Sequence, residues 1–278
     1  MDKKKVLVTG ANGYIGRHVV EALLKNDCEV YAADMRFDGL DERVIQVTAP
    51  IFDNPNIFEE SGRPDVCIHM AWRDGFVHNS EAHIIDLPKH YSFIKNMIDG
   101  GLKQIAIMGT MHEVGYWEGA INEDTPTRPS SYYGIAKNTL RDISKLIADA
   151  NDVCWQWLRA YYIYGDDLKG NSIFSKITKA EAEGQKTFPF TTGKNLYDFI
   201  TVDELAEQIA AAATQTAVAG IINCCTGKPV SLGEQIESFI AKSGFSIKLE
   251  YGAFPDRKYD SPGVWGDATK INQIMKKE

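Results

Sequence analysis

The chain has 278 residues, of which 44% are hydrophobic and 24% charged, a composition typical of a globular protein and not of a disordered one. Its 38 acidic and 30 basic residues give a net charge of −8, which argues against a nucleic-acid partner, because nucleic-acid surfaces carry clustered basic residues. The sequence shows no signal-peptide pattern and no apolar stretch of membrane-helix length, and its five cysteines lack the spacing of a metal site. We therefore expect a cytoplasmic protein with no membrane segment and no bound metal.

Short apolar runs alternate with amphipathic stretches in the first half of the chain, the pattern of βαβ units around a parallel sheet. Strands are predicted at residues 5–9, 29–34, 44–47, 66–71, 105–109 and 154–160. Helices are predicted at residues 14–26, 82–98 and 133–150. Pro88 should kink the second of these helices or mark its true start. The order of elements predicts an α/β fold with a Rossmann-type doubly wound parallel sheet.

The second half of the chain reads as loops, short strands and further helices. These helices are predicted at residues 171–183, 203–214 and 232–243. No linker separates the two halves, so we expect them to be interleaved. The predicted division is a dinucleotide-binding domain over residues 1–165 and a smaller C-terminal substrate lobe over residues 166–278.

A glycine-rich turn joins the first predicted strand to the first predicted helix, where residues 9–16 read TGANGYIG. Gly10 allows the tight turn, Gly13 lets a pyrophosphate approach the backbone, and Gly16 lets helix and strand pack closely. The helix N-terminus adds free N–H groups for a phosphate. The pattern and its place predict a dinucleotide site; a glycine-rich turn without ligand is the alternative.

An acidic residue, Asp34, ends the second predicted strand, about twenty residues after the glycine turn. It is expected to accept hydrogen bonds from the adenosine ribose and to repel a 2′-phosphate, which favours NAD over NADP. NADP remains open because the guanidinium of Arg17 or Arg36 could pair with that phosphate. A plain turn acid is the other interpretation of Asp34.

Residues 130–140 read SSYYGIAKNTL and place Tyr133 and Lys137 four positions apart, on one face of a helix. A neighbouring ammonium stabilises a phenolate, so we expect the pKa of Tyr133 to fall well below its free value of about 10. Thr110 follows the predicted strand 105–109 at the end where open α/β sheets bind ligands. Its hydroxyl could hold a substrate carbonyl or alcohol beside Tyr133, or it could simply satisfy the backbone of a turn.

The motifs together resemble the extended short-chain dehydrogenase/reductase family, in particular its nucleotide-diphosphate-sugar epimerases, dehydratases and 4-keto reductases. TGANGYIG is similar to the family's TGxxGxxG, DVCIHMA at residues 65–71 to its DxVxHxAA, and YGIAK to its YxxxK. Similar segments continue to the closing stretch DRKYDSPGVWGDATKI at residues 256–271, so the resemblance covers nearly the whole chain.

The resemblance implies a catalytic triad of Thr110, Tyr133 and Lys137 acting on a nucleotide-diphosphate sugar with NAD or NADP as cofactor. The predicted cofactor-binding residues, among which Asp53 is implied by the resemblance alone, are Gly10, Gly13, Tyr14, Ile15, Gly16, Asp34, Arg36, Asp53, Ala71, Tyr133 and Lys137. The resemblance implies that Asn171 and Arg257 hold the sugar-nucleotide diphosphate, and the predicted substrate-binding residues further include Phe190 and, from its place after Thr110, His112. Residues 186–190 would line the base pocket. The alternatives are a loop role for His112 and Asn171, a core aromatic for Phe190, and a surface ion pair for Arg257.

The residues after Thr110 bear on the reaction. Sugar dehydratases of the family carry an Asp-Glu pair directly after this threonine, whereas Met111 and His112 stand here and Glu113 comes one place late. Dehydration is therefore disfavoured, although His112 or Glu113 could contact the substrate. The favoured activity is reduction of a 4-keto sugar with Tyr133 as proton donor. The alternatives are an NAD-dependent 4-epimerase and, more remotely, a non-catalytic dinucleotide-sensing protein.

Relatives with this architecture often pair through two long helices, here predicted at residues 82–98 and 133–150. Both carry apolar residues on more than one face, including Ile85 and Leu146. We therefore expect a homodimer with a four-helix interface.

Overall fold

The computed structural model describes residues 3–165, 172–256 and 261–276. Its strands are β1 (Lys5–Thr9), β2 (Glu29–Ala33), β3 (Ile45–Val47), β4 (Val66–His69), β5 (Gln104–Thr110), β6 (Gly119–Ile121), β7 (Cys154–Ala160), β8 (Tyr162–Tyr164), β9 (Thr187–Pro189), β10 (Leu196–Thr201), β11 (Gly220–Cys224), β12 (Pro229–Ser231), β13 (Lys248–Glu250) and β14 (Gly263–Gly266). Its helices are α1 (Gly16–Lys25), α2 (Ile57–Glu60), α3 (Ala82–Gly100), α4 (Tyr132–Ala150), α5 (Ile173–Ala182), α6 (Val202–Ala213), α7 (Leu232–Lys242) and α8 (Thr269–Met275).

Seven parallel strands form the central sheet in the order β11-β7-β5-β4-β1-β2-β3. From β1 the chain moves outward to β3, and then it returns to β4 and moves outward the other way. The order thus reverses between β1 and β4, where doubly wound sheets leave a crevice at the carboxyl ends of their strands. This topology confirms the predicted fold class.

The central strands are buried on both faces, as parallel strands covered by helices are expected to be. In β1, Val6, Leu7 and Val8 are all fully buried. All six strands predicted in the first half are present, with ends that differ by two residues at most. The continuous apolar runs were therefore a sound signal for these elements.

The helix α3 runs without a break past Pro88, so this proline does not mark the helix start. A proline inside a helix removes one backbone N–H donor. The helix ends at Gly101, whose φ of 117° is readily available only to glycine. At the start of α4, the Ser131 hydroxyl accepts a hydrogen bond from the Gly134 N–H at 3.1 Å.

The two halves of the chain exchange strands. β11 comes from the second half but completes the central sheet beside β7, and β6 comes from the first half but pairs with β14. β14 belongs to a second sheet of order β12-β10-β14-β6, with β8 added to β10. A boundary at residue 165 therefore separates β6 and β11 from the sheets that they complete. Within the described ranges, no helix is both long enough and apolar enough to span a bilayer.

Candidate active site

A cleft of about 910 Å³ opens at the carboxyl ends of the central strands, where the strand order reverses. Most of the residues proposed for catalysis and cofactor binding line it. They are Gly10, Gly13, Tyr14, Ile15, Gly16, Asp34, Ala71, Thr110, Tyr133 and Lys137, and the proposed substrate residue His112 lines it too. The fold thus brings the glycine turn and the Tyr–Lys pair to one cavity.

The glycine turn has a backbone shape that larger residues would not permit. Gly10 has a φ of +69°, and a Cβ there would lie 2.9 Å from the Cα of Ala71. A Cβ on Gly16 would lie 2.0 Å from the carbonyl oxygen of Gly10, which leaves no room for a side chain. Gly13 is exposed toward the cleft. Together with the start of α1, this turn fits the pyrophosphate of a dinucleotide.

Asp34 lies at the end of β2 with its carboxylate fixed by two backbone donors. It accepts from the N–H of Asn12 at 2.9 Å and from the N–H of Met35 at 2.7 Å. Asp34 also lines the cleft, so its carboxylate is available to accept hydrogen bonds from a ribose of a dinucleotide. The residues present therefore fit a nicotinamide dinucleotide.

Two of the proposed cofactor residues do not face this cleft. Arg36 and Asp53 are both exposed, and neither is among the residues that line it. The wall near Asp53 is instead made by residues 48–52, and Asp53 follows in a turn with a φ of 55°. Cofactor contacts from Arg36 and Asp53 are thus not supported by their positions in this structure.

The amine of Lys137 is buried and has two close contacts. Its Nζ donates to the carbonyl oxygen of Met108 at 2.8 Å and lies 3.8 Å from the ring centre of Trp72. Burial lowers the pKa of Lys137 to about 7, against a smaller opposing effect of the Glu113 carboxylate. A lysine with such a pKa can exchange a proton near neutral pH.

The phenol of Tyr133 is not acidic in this structure. Burial raises the pKa of Tyr133 to about 12, the Thr110 hydroxyl acts to lower it, and the Glu113 carboxylate acts to raise it. The prediction of a pKa well below 10 is therefore wrong for this structure. The physical reason is that the Lys137 amine is directed to Met108 and Trp72, while the phenol is withdrawn from water.

Aromatic and histidine rings surround Tyr133 in a cluster that sequence analysis missed. We call it the histidine cluster; its members are Trp72, His69, His78, His83, His90 and His112. It holds five of the six histidines of the chain. His78 stacks on Tyr133 at 5.3 Å between ring centres, and His112 meets His78 edge-on at 4.3 Å.

Two signals in the sequence could have revealed the cluster. Trp72 stands where the motif DxVxHxAA has its second alanine, directly after Ala71, so a large aromatic side chain replaces a methyl group there. His83 and His90 are seven apart, which places them on one face of α3.

Four histidines of the cluster, His69, His78, His90 and His112, are neutral near physiological pH. Burial is the main cause in each case, lowering the pKa of His90 to about 3, that of His112 to about 4, and those of His69 and His78 in the same direction. Neutral imidazoles can each donate one hydrogen bond and accept one. These four rings therefore add directional hydrogen-bonding groups to the site without adding positive charge.

Glu113, a candidate for substrate contact, has a different role in the structure. It is fully buried and does not line the cleft. Its carboxylate accepts from the Nε of Arg159 at 2.6 Å and from the Nε1 of Trp157 at 2.8 Å. His112, in contrast, lines the cleft beside Thr110.

Of the other proposed substrate residues, Phe190 alone lies in the described part of the chain, and it does not line the cleft. Phe190 is 2% exposed, packs edge-on against Tyr251 and lies in the hydrophobic core. A base-pocket role for Phe190 is thus not supported, because its ring is covered by other side chains. Asn171 and Arg257 lie outside the described residues.

The fold and the site define a dinucleotide-dependent oxidoreductase with a tyrosine–lysine pair. The model of the NAD dependent epimerase/dehydratase family matches residues 6–225, and the chain belongs to this family. It is 43% identical to a dTDP-6-deoxy-L-talose 4-dehydrogenase (NAD(+)) of Aggregatibacter actinomycetemcomitans, over 94% of this chain and 98% of that protein. It is 26% identical to a putative UDP-glucose 4-epimerase of Methanocaldococcus jannaschii, over 98% and 90% of the two chains.

Solved structures share the fold. A UDP-N-acetylglucosamine 4-epimerase from Methanobrevibacter ruminantium M1 superposes with a TM-score of 0.84 at 20% identity, covering 99% of this chain and 92% of that one. MoeE5 in complex with UDP-glucuronic acid and NAD gives 0.79 at 21% identity, covering 98% and 92%. Together with the family match, these findings confirm the predicted fold, the extended short-chain dehydrogenase/reductase family and the class of nucleotide-sugar oxidoreductase.

Proposed function

We propose that the protein transfers a hydride between NAD and C4 of a 6-deoxyhexose carried on a nucleoside diphosphate, with reduction of the 4-keto sugar as the favoured direction. The observation that carries this proposal is that Thr110, Tyr133 and Lys137 line the same cleft as the glycine turn. The 43% identical relative is named as a 4-dehydrogenase of a dTDP-linked 6-deoxy sugar, which supports the choice of C4 and of the sugar class.

Each of the residues that line the cleft would have a separate role in the reaction. The glycine turn and Asp34 would hold the dinucleotide, which supplies the site of hydride exchange when bound. Tyr133, with a pKa of about 12, keeps its proton at neutral pH and donates it to the oxygen on C4 as the alcohol forms. The Thr110 hydroxyl beside the phenol orients that oxygen, and His112 provides a neutral polar contact on the same wall.

The fixed carboxylate of Asp34 supports NAD over NADP. A 2′-phosphate would meet a negative charge held by two backbone donors, and Arg36 does not line the cleft to offset it. The test is the ratio of Kd values for NADH and NADPH in the wild type and in Asp34→Ser. We expect the wild type to prefer NADH and the variant to lose most of that preference. A wild type that binds NADPH more tightly would contradict this part of the proposal.

The reaction is tested with purified protein, NADH and a dTDP-4-keto-6-deoxyhexose. We expect one NADH to be oxidised for each sugar reduced, and deuterium from C4-deuterated NADH to appear at C4 of the product. A 4-epimerase would instead interconvert two C4 epimers with tightly retained NAD and no net change in NADH. That second outcome would replace the reductase by the epimerase.

A homodimer through α3 and α4 is part of the proposal. The outer faces of these helices expose Ile84, Ile85, Ile135 and Leu146, the last to 71%. Packing this patch against its copy would form a four-helix interface and remove apolar surface from water. Sedimentation at micromolar concentration should give a dimer, and Leu146→Glu should give a monomer.

We also propose a cytoplasmic location, where five free cysteines would stay reduced.

A further inference from the structure

Trp72 lies between the buried histidines and the amine of Lys137. It follows Ala71 in the loop after β4 and lines the cleft. Its indole stacks on the ring of His90 at 4.4 Å with an angle of 20° between the planes. The Nζ of Lys137 lies 3.8 Å from its ring centre. A large flat ring thus joins α3 to the amine of α4.

The edge of the indole is held by His83 in one fixed tautomer. The indole Nε1–H can only donate, so the Nδ1 of His83, 3.0 Å away, must accept. The ring proton of His83 then lies on Nε2, which donates to the carbonyl oxygen of Val77 at 3.0 Å. Both nitrogens of His83 are therefore used to orient Trp72 within the loop that follows β4.

The face of the indole is supported by a second hydrogen-bonded chain. The Thr9 hydroxyl oxygen accepts from the N–H groups of Met70 and Ala71 at 3.1 and 3.2 Å, which leaves its proton for the Nδ1 of His69 at 2.8 Å. The Nε2 of His69 can then donate to the Nδ1 of His90 at 2.9 Å. His90, which stacks on Trp72, is thereby fixed in the core.

Besides the Met108 carbonyl oxygen at 2.8 Å, the indole of Trp72 is the close contact that can stabilise a positive charge on Lys137. The ionisable groups whose charges interact with it are His69 from β4, His90 from α3 and Glu113 from the turn after β5, and Tyr133 lies one turn away on its own helix. His69 and His90 are buried, and the Glu113 carboxylate is bonded to the guanidinium of Arg159. An aromatic face attracts an ammonium through its quadrupole, and more strongly where water is excluded.

We propose that Trp72 is a positioning residue that binds the ammonium of Lys137 on its indole face, holds it at the wall of the cleft and favours its charged form. This proposal rests on the proposed function, in which Lys137 lines the catalytic cleft together with Thr110 and Tyr133. It predicts that the chemistry depends on an aromatic face at position 72 and not merely on a large apolar side chain there.

The test compares Trp72→Leu with Trp72→Phe, which keeps an aromatic face. Trp265→Leu is the matched control, because Trp265 lies on β14 and does not line the cleft. The pH dependence of kcat is measured with NADH and the 4-keto sugar, and the titration of the Lys137 Nζ is followed by ¹⁵N NMR. Thermal unfolding of each variant shows that it is folded.

For Trp72→Leu we expect kcat to fall, and the alkaline limb of its pH profile and the Nζ titration to move down by about one pH unit. Trp72→Phe should restore most of the wild-type profile, and Trp265→Leu should match the wild type. An unchanged Nζ titration and pH profile in Trp72→Leu would overturn the proposal. So would equal losses in Trp72→Leu and Trp72→Phe.

The NMR titration separates this proposal from the proposed function. It reports the protonation of Lys137 whether or not the protein turns over a sugar nucleotide. If the wild type fails to consume NADH while Trp72→Leu still shifts the titration, the function is wrong and the indole contact stands. If the wild type is active and the titration does not move, only the role of Trp72 is wrong.

Discussion

Glu113 and Arg159 form an ion pair with both side chains fully buried, and the carboxylate Oε1 lies 2.6 Å from the guanidinium Nε. The same guanidinium donates to the carbonyl oxygen of Asn122 at 3.1 Å. Burial acts to raise the pKa of Glu113 and Arg159 acts to lower it, with burial the larger effect. The pair links β7 to the turn that follows Thr110. It therefore stabilises, from the core side, the part of the cleft lining that Thr110 and His112 form.

Glu113→Gln should destabilise the fold without affecting substrate contacts. It leaves the Arg159 guanidinium without its charged partner in the core, which costs about 3–5 kcal/mol of unfolding free energy. Urea denaturation measures this loss, and KM for the sugar nucleotide should stay near the wild-type value. Glu123→Gln, which removes the partly exposed ion pair with Lys270, is the control and should cost less than about 1 kcal/mol. Unchanged stability with a raised KM would show instead that Glu113 contacts the substrate.

Lys137→Met should change how stability depends on pH. The pKa of Lys137 is about 7 in the folded protein, below the value of an unfolded lysine, so between these values the unfolded chain binds more protons. The stability of the wild type should therefore rise with pH above 7. Between pH 7 and 9 the wild type should gain about 2 kcal/mol relative to Lys137→Met in denaturation experiments. Parallel curves for the two proteins would contradict the burial of a titrating amine.

Alanine at two glycines of the turn should have different effects. In Gly16→Ala the new Cβ would lie 2.0 Å from the carbonyl oxygen of Gly10, so the turn must distort, and both stability and NAD affinity should fall. In Gly13→Ala the corresponding distance is 3.1 Å and the site is exposed, so the melting temperature should change little. NAD affinity should still fall, because the methyl group faces the place of the pyrophosphate. Calorimetry of unfolding and of NAD binding measures both, and a full-affinity Gly13→Ala would contradict the placement of the cofactor.

The sequence was sufficient for the central sheet and for the residues that line the cleft along the glycine turn. Buried parallel strands such as β1 are continuous apolar runs, which are visible in the sequence. Gly16, which has no room for a side chain beside the carbonyl oxygen of Gly10, was predictable from its spacing after the first strand. The spacing of Tyr133 and Lys137 likewise follows from helix geometry, which local sequence determines.

The sequence was not sufficient where the outcome depends on tertiary burial. The pKa of Tyr133 follows from the loss of water around the ring and from the direction of the Lys137 amine, and neither is visible in the spacing of four residues. The burial of Glu113 depends on Arg159, which lies 46 positions away. The sequence around Phe190 is equally compatible with an aromatic ring in a ligand pocket and with one in the hydrophobic core. Its burial in the folded protein shows that it belongs to the core.

The central claim is that the phenol of Tyr133 gives its proton to a sugar oxygen within the dinucleotide cleft. The direct measurement is turnover of Tyr133→Phe with NADH and a dTDP-4-keto-6-deoxyhexose, together with the Kd for NADH of the same preparation. We predict that kcat falls by about 100-fold or more while the Kd stays at the wild-type value. Wild-type turnover by Tyr133→Phe would contradict the account, because the proton would then come from another group.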